Sequence, residues 1–146
     1  MKVHGVYSFN APVDVVWNTI QSPEALSGCI PGCESFESDD QNSYKVSIKL
    51  KVASITGKYT GEVKITDDLY PDTYTMTVEG QGQGGTVKAS GVFLFKDHGT
   101  VTEVTVQGDA QVSGMIARVG QRILGGASKM LMNQFFSCLS QKVEKR

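Results

Sequence analysis

Histidine is scarce in this chain of 146 residues, with only His4 and His98, and that scarcity removes most acid-base and metal chemistry from consideration. His4 falls opposite the apolar set of an alternating segment and His98 lies in an Asp97-His98-Gly99 turn, so both are expected in solvent. Cysteine is sparse too. Cys29 and Cys33 are separated by three residues and Cys138 lies far off, whereas a zinc ribbon needs two Cys-x-x-Cys pairs and a redox motif needs one opening a helix. The three thiols are therefore expected unpaired, in a reducing, cytoplasmic compartment, with Cys29 and Cys33 packed as small hydrophobes. No metal and no cofactor is expected.

Charge of one sign is also lacking. Fourteen basic and fifteen acidic residues give a net charge of -1, which offers nucleic acid no cationic face, and the closing Lys142, Lys145 and Arg146 do not change that. No apolar run approaches the ~20 residues that span a bilayer, and no basic start precedes an apolar stretch, so neither a membrane span nor a secretion signal is expected. Asp39-Asp40 and Asp67-Asp68 are expected in loops. The glycine-rich run from Gly80 to Gly85 joins two strands instead of opening a helix, which argues against phosphate binding.

What the chain does have is alternation. Val3, Gly5, Tyr7 and Phe9 mark a first strand; Pro12 then opens a helix with Val13, Val16, Trp17 and Ile20 at helical spacing, and Ser22-Pro23-Glu24 starts a second, ending near Gly28. Strands follow. Tyr44, Val46, Ile48, Leu50 and Val52 alternate with polar residues, and the pattern recurs around Tyr59, Gly61, Val63 and Ile65, around Tyr74, Met76, Val78 and Gly80, around Val87 to Phe95, and around Thr102 to Val112. From about residue 115 to 143 the period is helical and proline is absent, which predicts one helix about 40 Å long. The expected fold is α+β, one domain over 1–146: a curved antiparallel sheet of six or seven strands wrapped around a long C-terminal helix, with two short helices after the first strand.

The inward phase of the strands is rich in small residues: Gly61, Gly80, Ala89, Gly91, Gly108 and Ala110. They either let the sheet coil tightly or leave an apolar cavity beneath the helix. Phasing the terminal helix at 100° per residue puts Ile116, Val119, Ile123, Ala127, Met130, Gln134 and Cys138 inward, and Met132, Phe136, Leu139 and Val143 outward, as a contact for a membrane surface, a partner, a neighbouring loop or a second copy of the chain. The expected cavity wall is Tyr59, Gly61, Tyr74, Met76, Gly80, Gly91, Phe93, Val106, Gly108, Ile123, Ala127, Met130 and Gln134. Met132, Phe136 and Leu139 form the expected contact stripe.

These elements, with Phe9-Asn10-Ala11-Pro12, Val16-Trp17, Ser22-Pro23-Glu24-Ala25-Leu26 leading to Cys29-Ile30-Pro31-Gly32-Cys33, the glycine-rich hairpin and Gln134-Phe135-Phe136, resemble the START-like (SRPBCC) helix-grip superfamily and, more narrowly, the CoxG family of carbon monoxide dehydrogenase. The resemblance implies a sheet gripping the last helix around an apolar cavity. It also implies an accessory factor for a molybdenum hydroxylase of the carbon monoxide dehydrogenase type, concerned with membrane recruitment and the handling of a quinone or lipid, and not a catalyst. Many relatives continue into a membrane-binding tail, whereas this chain stops at Arg146, so at most weak peripheral contact with the inner face of the membrane is expected. A cyclase- or hydrolase-type enzyme on the same fold and a cavity-free assembly protein are the alternatives. Cys29, Pro31, Gly32 and Cys33 are expected to be structural.

Overall fold

Seven antiparallel strands form one sheet in the order β1-β7-β6-β5-β4-β3-β2 in the computed structural model, which describes residues 1–40, 42–52 and 55–144. Lys145 and Arg146 lie outside the described residues. β1 (Lys2–Phe9) runs along one edge against β7 (Thr102–Ser113), and β2 (Cys33–Asp40) along the other against β3 (Ser43–Leu50). β4 (Gly57–Leu69), β5 (Thr73–Gly82) and β6 (Gly85–Asp97) lie between. Each hairpin register keeps the inward phase in step across neighbours, so the row Val46, Gly61, Gly80 and Val87 faces the same side.

Two short helices bridge the sheet edges. α1 (Val13–Ile20) buries Val16, Trp17 and Ile20, with Pro12 one residue earlier than expected, at its N-cap. Ser22 caps α2 (Pro23–Cys29), its Oγ accepting from the Ala25 amide. A turn then leads into β2, closed by the Cys33 amide donating to the Ile30 carbonyl at 3.1 Å. Gly32 sits there at φ +74°, and a Cβ on it would lie 2.2 Å from the Lys49 carbonyl oxygen, so only glycine fits. The Pro31-Gly32 pair thus docks the turn on β3.

Three expectations need correction. β2 is a strand that alternation did not reveal, and it contains Asp39 and Asp40, while Asp67 and Asp68 lie in the bulged end of β4. The terminal helix is not continuous. A 3-10 turn, η1 (Met115–Val119), ends at Gly120 with φ +92°, and α3 (Gln121–Glu144) begins after it. A phase counted from Ile116 therefore does not carry into α3. Finally, Cys29 and Cys138 form a disulfide with Cα atoms 5.4 Å apart, tying α2 to α3, and Cys33 is the free thiol. The case for a reducing compartment rested on unpaired thiols and loses its premise.

The true inward stripe of α3 is Leu124, Ala127, Leu131, Phe135 or Phe136, Leu139 and Val143, rotated by about one residue from the expected one. Phe136 and Leu139 are 2% and 0% exposed, while Ile123 and Met130 are 44% and 41% exposed and Gln134 is exposed as well. The core beneath α3 divides in two. One cluster joins Phe9, Trp17, Tyr74, Phe93, Phe95, Val104 and Val106 to Phe136, Leu139 and Val143; the other joins Ile55, Tyr59, Ile116, Leu124 and Ala127.

Candidate functional site

The space beneath α3 is not filled throughout. Sheet and helix flank a partly open chamber of about 270 Å³, bounded by Val46, Ile48, Val63, Met76 and Val78 from the sheet and by Leu131, Met132 and Phe135 from α3. Leu26, Ile30 and Pro31 close its end. A second chamber of about 210 Å³ lies toward the start of α3, among Leu50, Ile55, Val87, Ala110, Val112, Ile116, Leu124, Ala127 and Ser128. Ile48, Tyr59, Val78, Gly80 and Leu131 border both. Glu62 also borders the first chamber, but its carboxylate meets Lys64 Nζ at 3.2 Å on the outer face. Thr60 and Glu79 border the first chamber from the outward strand phase, and Met1, whose ammonium donates to the Ala110 carbonyl at 2.8 Å, borders the second; the inward side chains are otherwise apolar except for the Tyr59 phenol and the Ser128 hydroxyl.

The structure brings Tyr59, Gly61, Met76, Gly80 and Ala127 to these chambers. It places Tyr74, Phe93 and Val106 in the solid aromatic cluster instead, where Tyr74 stacks on Phe93 at 4.7 Å and meets Trp17 edge-on at 5.4 Å. Gly91 and Gly108 pair across β6 and β7; a Cβ on Gly108 would lie 2.2 Å from the Ser90 carbonyl oxygen, so Gly108 serves strand approach, whereas a Cβ on Gly91 would meet nothing closer than 3.6 Å, and neither residue borders the chambers. Ile123, Met130 and Gln134 are outside the cavity because of the helix phase. Met132 is in its wall and Phe136 and Leu139 are in the core, so none of the three forms the expected outward stripe.

Sequence reasoning missed Leu26, Ile30, Leu131 and Phe135. The larger apolar mass at Leu124, Leu131, Phe135 and Leu139 was the available signal. Pro31, expected to be structural, also borders the first chamber.

Titratable chemistry in this region is muted. Burial pushes the Cys33 thiol up, with the Ser27 side chain and the Ser35 carbonyl opposing, which leaves little thiolate near neutrality. His4 and His98 are exposed. Among the described residues no three His, Cys, Asp or Glu side chains gather where a metal ion could be held, and no helix is long and apolar enough to cross a membrane.

The Tyr74 hydroxyl is buried and has no hydrogen-bonding partner among the described residues. Burial, and then the nearby Asp68 charge, hold its phenol well above the ordinary value of 10.0. A raised folded-state value leaves stability intact below the unfolded pKa and removes it as pH climbs beyond, because the unfolded chain ionises first. Wild-type stability should therefore fall above about pH 10. Tyr74→Phe should change neutral-pH stability by less than about 1 kcal/mol, since no bond is lost. It should also flatten the alkaline fall, leaving the slope from Tyr7, whose phenol burial likewise raises. Urea unfolding at neutral and alkaline pH reads both effects, and an unchanged alkaline slope would rule out Tyr74 as its source.

Comparison with known proteins agrees with this architecture. No curated protein matches the chain. A conserved protein from Geobacillus kaustophilus is 33% identical, with a TM-score of 0.96 over 99% of this chain and 96% of that one. A START superfamily protein from Mycobacterium smegmatis shares the fold at 12% identity and a TM-score of 0.74, covering 99% of this chain and 97% of its own. The ZhuI aromatase/cyclase of a Streptomyces species does so at 15% and 0.73, covering 100% and 94%. At those identities the last two establish the START-like fold alone. Residues 5–144 match the family described as CoxG, a subunit of carbon monoxide dehydrogenase, and the chain belongs to that family.

Proposed function

We propose that the protein is a non-catalytic carrier that holds a lipid-like or quinone-like molecule between its sheet and α3. It would serve a molybdenum hydroxylase of the carbon monoxide dehydrogenase type as an accessory factor at the inner face of the membrane. The observation that carries the carrier role is the pair of adjoining apolar chambers, about 270 and 210 Å³, the first beside the aromatic cluster and the second lined by the smaller one. An unfilled apolar volume forfeits dispersion contacts and destabilises a fold, roughly in proportion to its size. A bound apolar molecule restores those contacts.

Membership of the family supports the accessory role. A catalyst would need a base or a charged group among the inward side chains, and Tyr59 and Ser128 supply only hydroxyls.

Organic extraction of the purified protein followed by mass spectrometry should release one apolar compound. The emptied protein should then bind a long-tailed benzoquinone or palmitate saturably in calorimetry. A protein that takes up neither, and releases nothing, would overturn the carrier reading. Co-expression with the hydroxylase and size-exclusion chromatography tests the partner separately, a shared peak being expected.

A further inference from the structure

Two glycines face each other across β4 and β5, Gly61 and Gly80, and they are glycine for different reasons. A Cβ on Gly61 would lie 2.1 Å from the Glu79 carbonyl oxygen and 2.9 Å from the Gly80 Cα. No side chain fits there unless the strands part, so glycine is required by the coiling of the sheet. A Cβ on Gly80 meets only the Thr60 carbonyl oxygen, at 3.7 Å, an ordinary contact, and its backbone is not in the left-handed region. Nothing in the backbone demands glycine at position 80. Strand geometry would even favour a larger residue, because interior glycine is costly in a strand.

What a side chain at position 80 would take up is cavity. Gly80 is one of the five residues that border both chambers, and the other four, Ile48, Tyr59, Val78 and Leu131, all project side chains. Gly80 contributes only a hydrogen. Its inward neighbours in the same cross-strand row, Val46 and Val87, flank the first and second chamber respectively. Of the border that the two chambers share, position 80 alone carries no side chain.

We infer that Gly80 is a specificity residue that keeps the two chambers joined, so that the site accepts an elongated apolar ligand threaded past it, with its length in both chambers, and not merely a compact molecule held in one. This rests on the carrier reading above and adds to it the shape of the ligand. A branched or globular apolar molecule would fill one chamber and gain nothing from the other. An unbranched chain gains contact in both and crosses where the wall lacks a side chain.

The test compares hexanol, short enough for one chamber, with hexadecanol, which needs both, by native mass spectrometry and competition against a fluorescent fatty-acid probe. The wild-type protein should take hexadecanol at least about tenfold more tightly than hexanol, as added buried methylenes each contribute. Gly80→Leu should weaken hexadecanol by about tenfold or more and leave hexanol within about twofold, since overpacking is confined to the crossing point. Gly80→Ala is the milder variant, read if the leucine variant does not fold; it should melt no lower than wild type and weaken hexadecanol by about threefold.

If the wild type binds neither alcohol, the carrier reading itself fails. If it binds both and Gly80→Leu weakens them equally, or weakens neither, cavity binding stands and the role assigned to Gly80 is overturned.

Discussion

Phe136→Ala should destabilise the protein by about 3–5 kcal/mol, the range for truncating a large aromatic in a packed core. The ring is 2% exposed and sits at the centre of an aromatic group. It stacks on Tyr7 at 4.0 Å and 11°, meets Phe9 at 6.2 Å and Phe93 at 5.9 Å, and turns its edge to Phe135 at 5.2 Å. Tyr7 is held in that stack by its hydroxyl, which donates to Asn133 Oδ1 at 3.0 Å from the preceding turn of α3. Losing the ring opens a void among side chains fixed on three elements, which cannot all close in. Against the roughly 5–15 kcal/mol that keeps a domain folded, that is a fifth of the total at the least. The melting temperature should drop by roughly 10 °C for a chain of this size. Met130→Ser and Gln134→Ala, on the outer side of the same helix, should change stability by no more than about 0.5 kcal/mol. Thermal melts of the three variants decide the phase of α3 directly. A large loss for Gln134→Ala with little for Phe136→Ala would mean that the helix is rotated from the arrangement described.

That rotation marks where the sequence stops being legible. Strand alternation survives translation into structure because its period is two and each hairpin resets it, so the inward residues of β3 to β7 were identified from pattern alone. Helical phase has no such reset. Counting from Ile116 through Val119 assumed an unbroken helix, but the 3-10 turn and the left-handed Gly120 break the count before α3 begins. An error of one residue is 100°, enough to exchange Phe135 for Gln134 on the inward face. β2 was missed for another reason. Cys33 to Asp40 has one large apolar residue, Phe36, and as a bulged edge strand it has little need for more.

At the candidate site the small inward residues pointed to both coiling and a cavity, and pattern could not separate the two. Only the distance from each missing Cβ to the next strand distinguishes Gly61 and Gly108, where backbone is in the way, from Gly80, where it is not. The Cys29–Cys138 link was beyond reach for a similar reason. Cysteines 109 positions apart meet only because Gly28 and Cys29 at the end of α2 pack beside the last turns of α3.

Removing that link is the second change with a large expected effect. Closing a loop of 109 residues restricts the unfolded chain, and the chain-entropy estimate for such a loop is about 4–5 kcal/mol, an upper figure because denatured chains keep some structure. Cys138→Ser, or treatment of the wild type with a dithiol reductant, should therefore lower the melting temperature by roughly 10 °C. The serine variant should not respond to the reductant further. Leu26, Ile30 and Pro31 on the α2 side and Leu131, Met132 and Phe135 on the α3 side face each other across the first chamber. Untying α2 from α3 loosens that wall, and a bound apolar ligand should dissociate faster from the serine variant than from wild type. Thiol titration gives the simplest check on the premise: protein purified without reductant and unfolded in guanidinium should show one reactive thiol, Cys33, and three after reduction. Three before reduction would mean that α2 and α3 are held by packing alone, and the stability of Cys138→Ser should then match wild type to within about 1 kcal/mol.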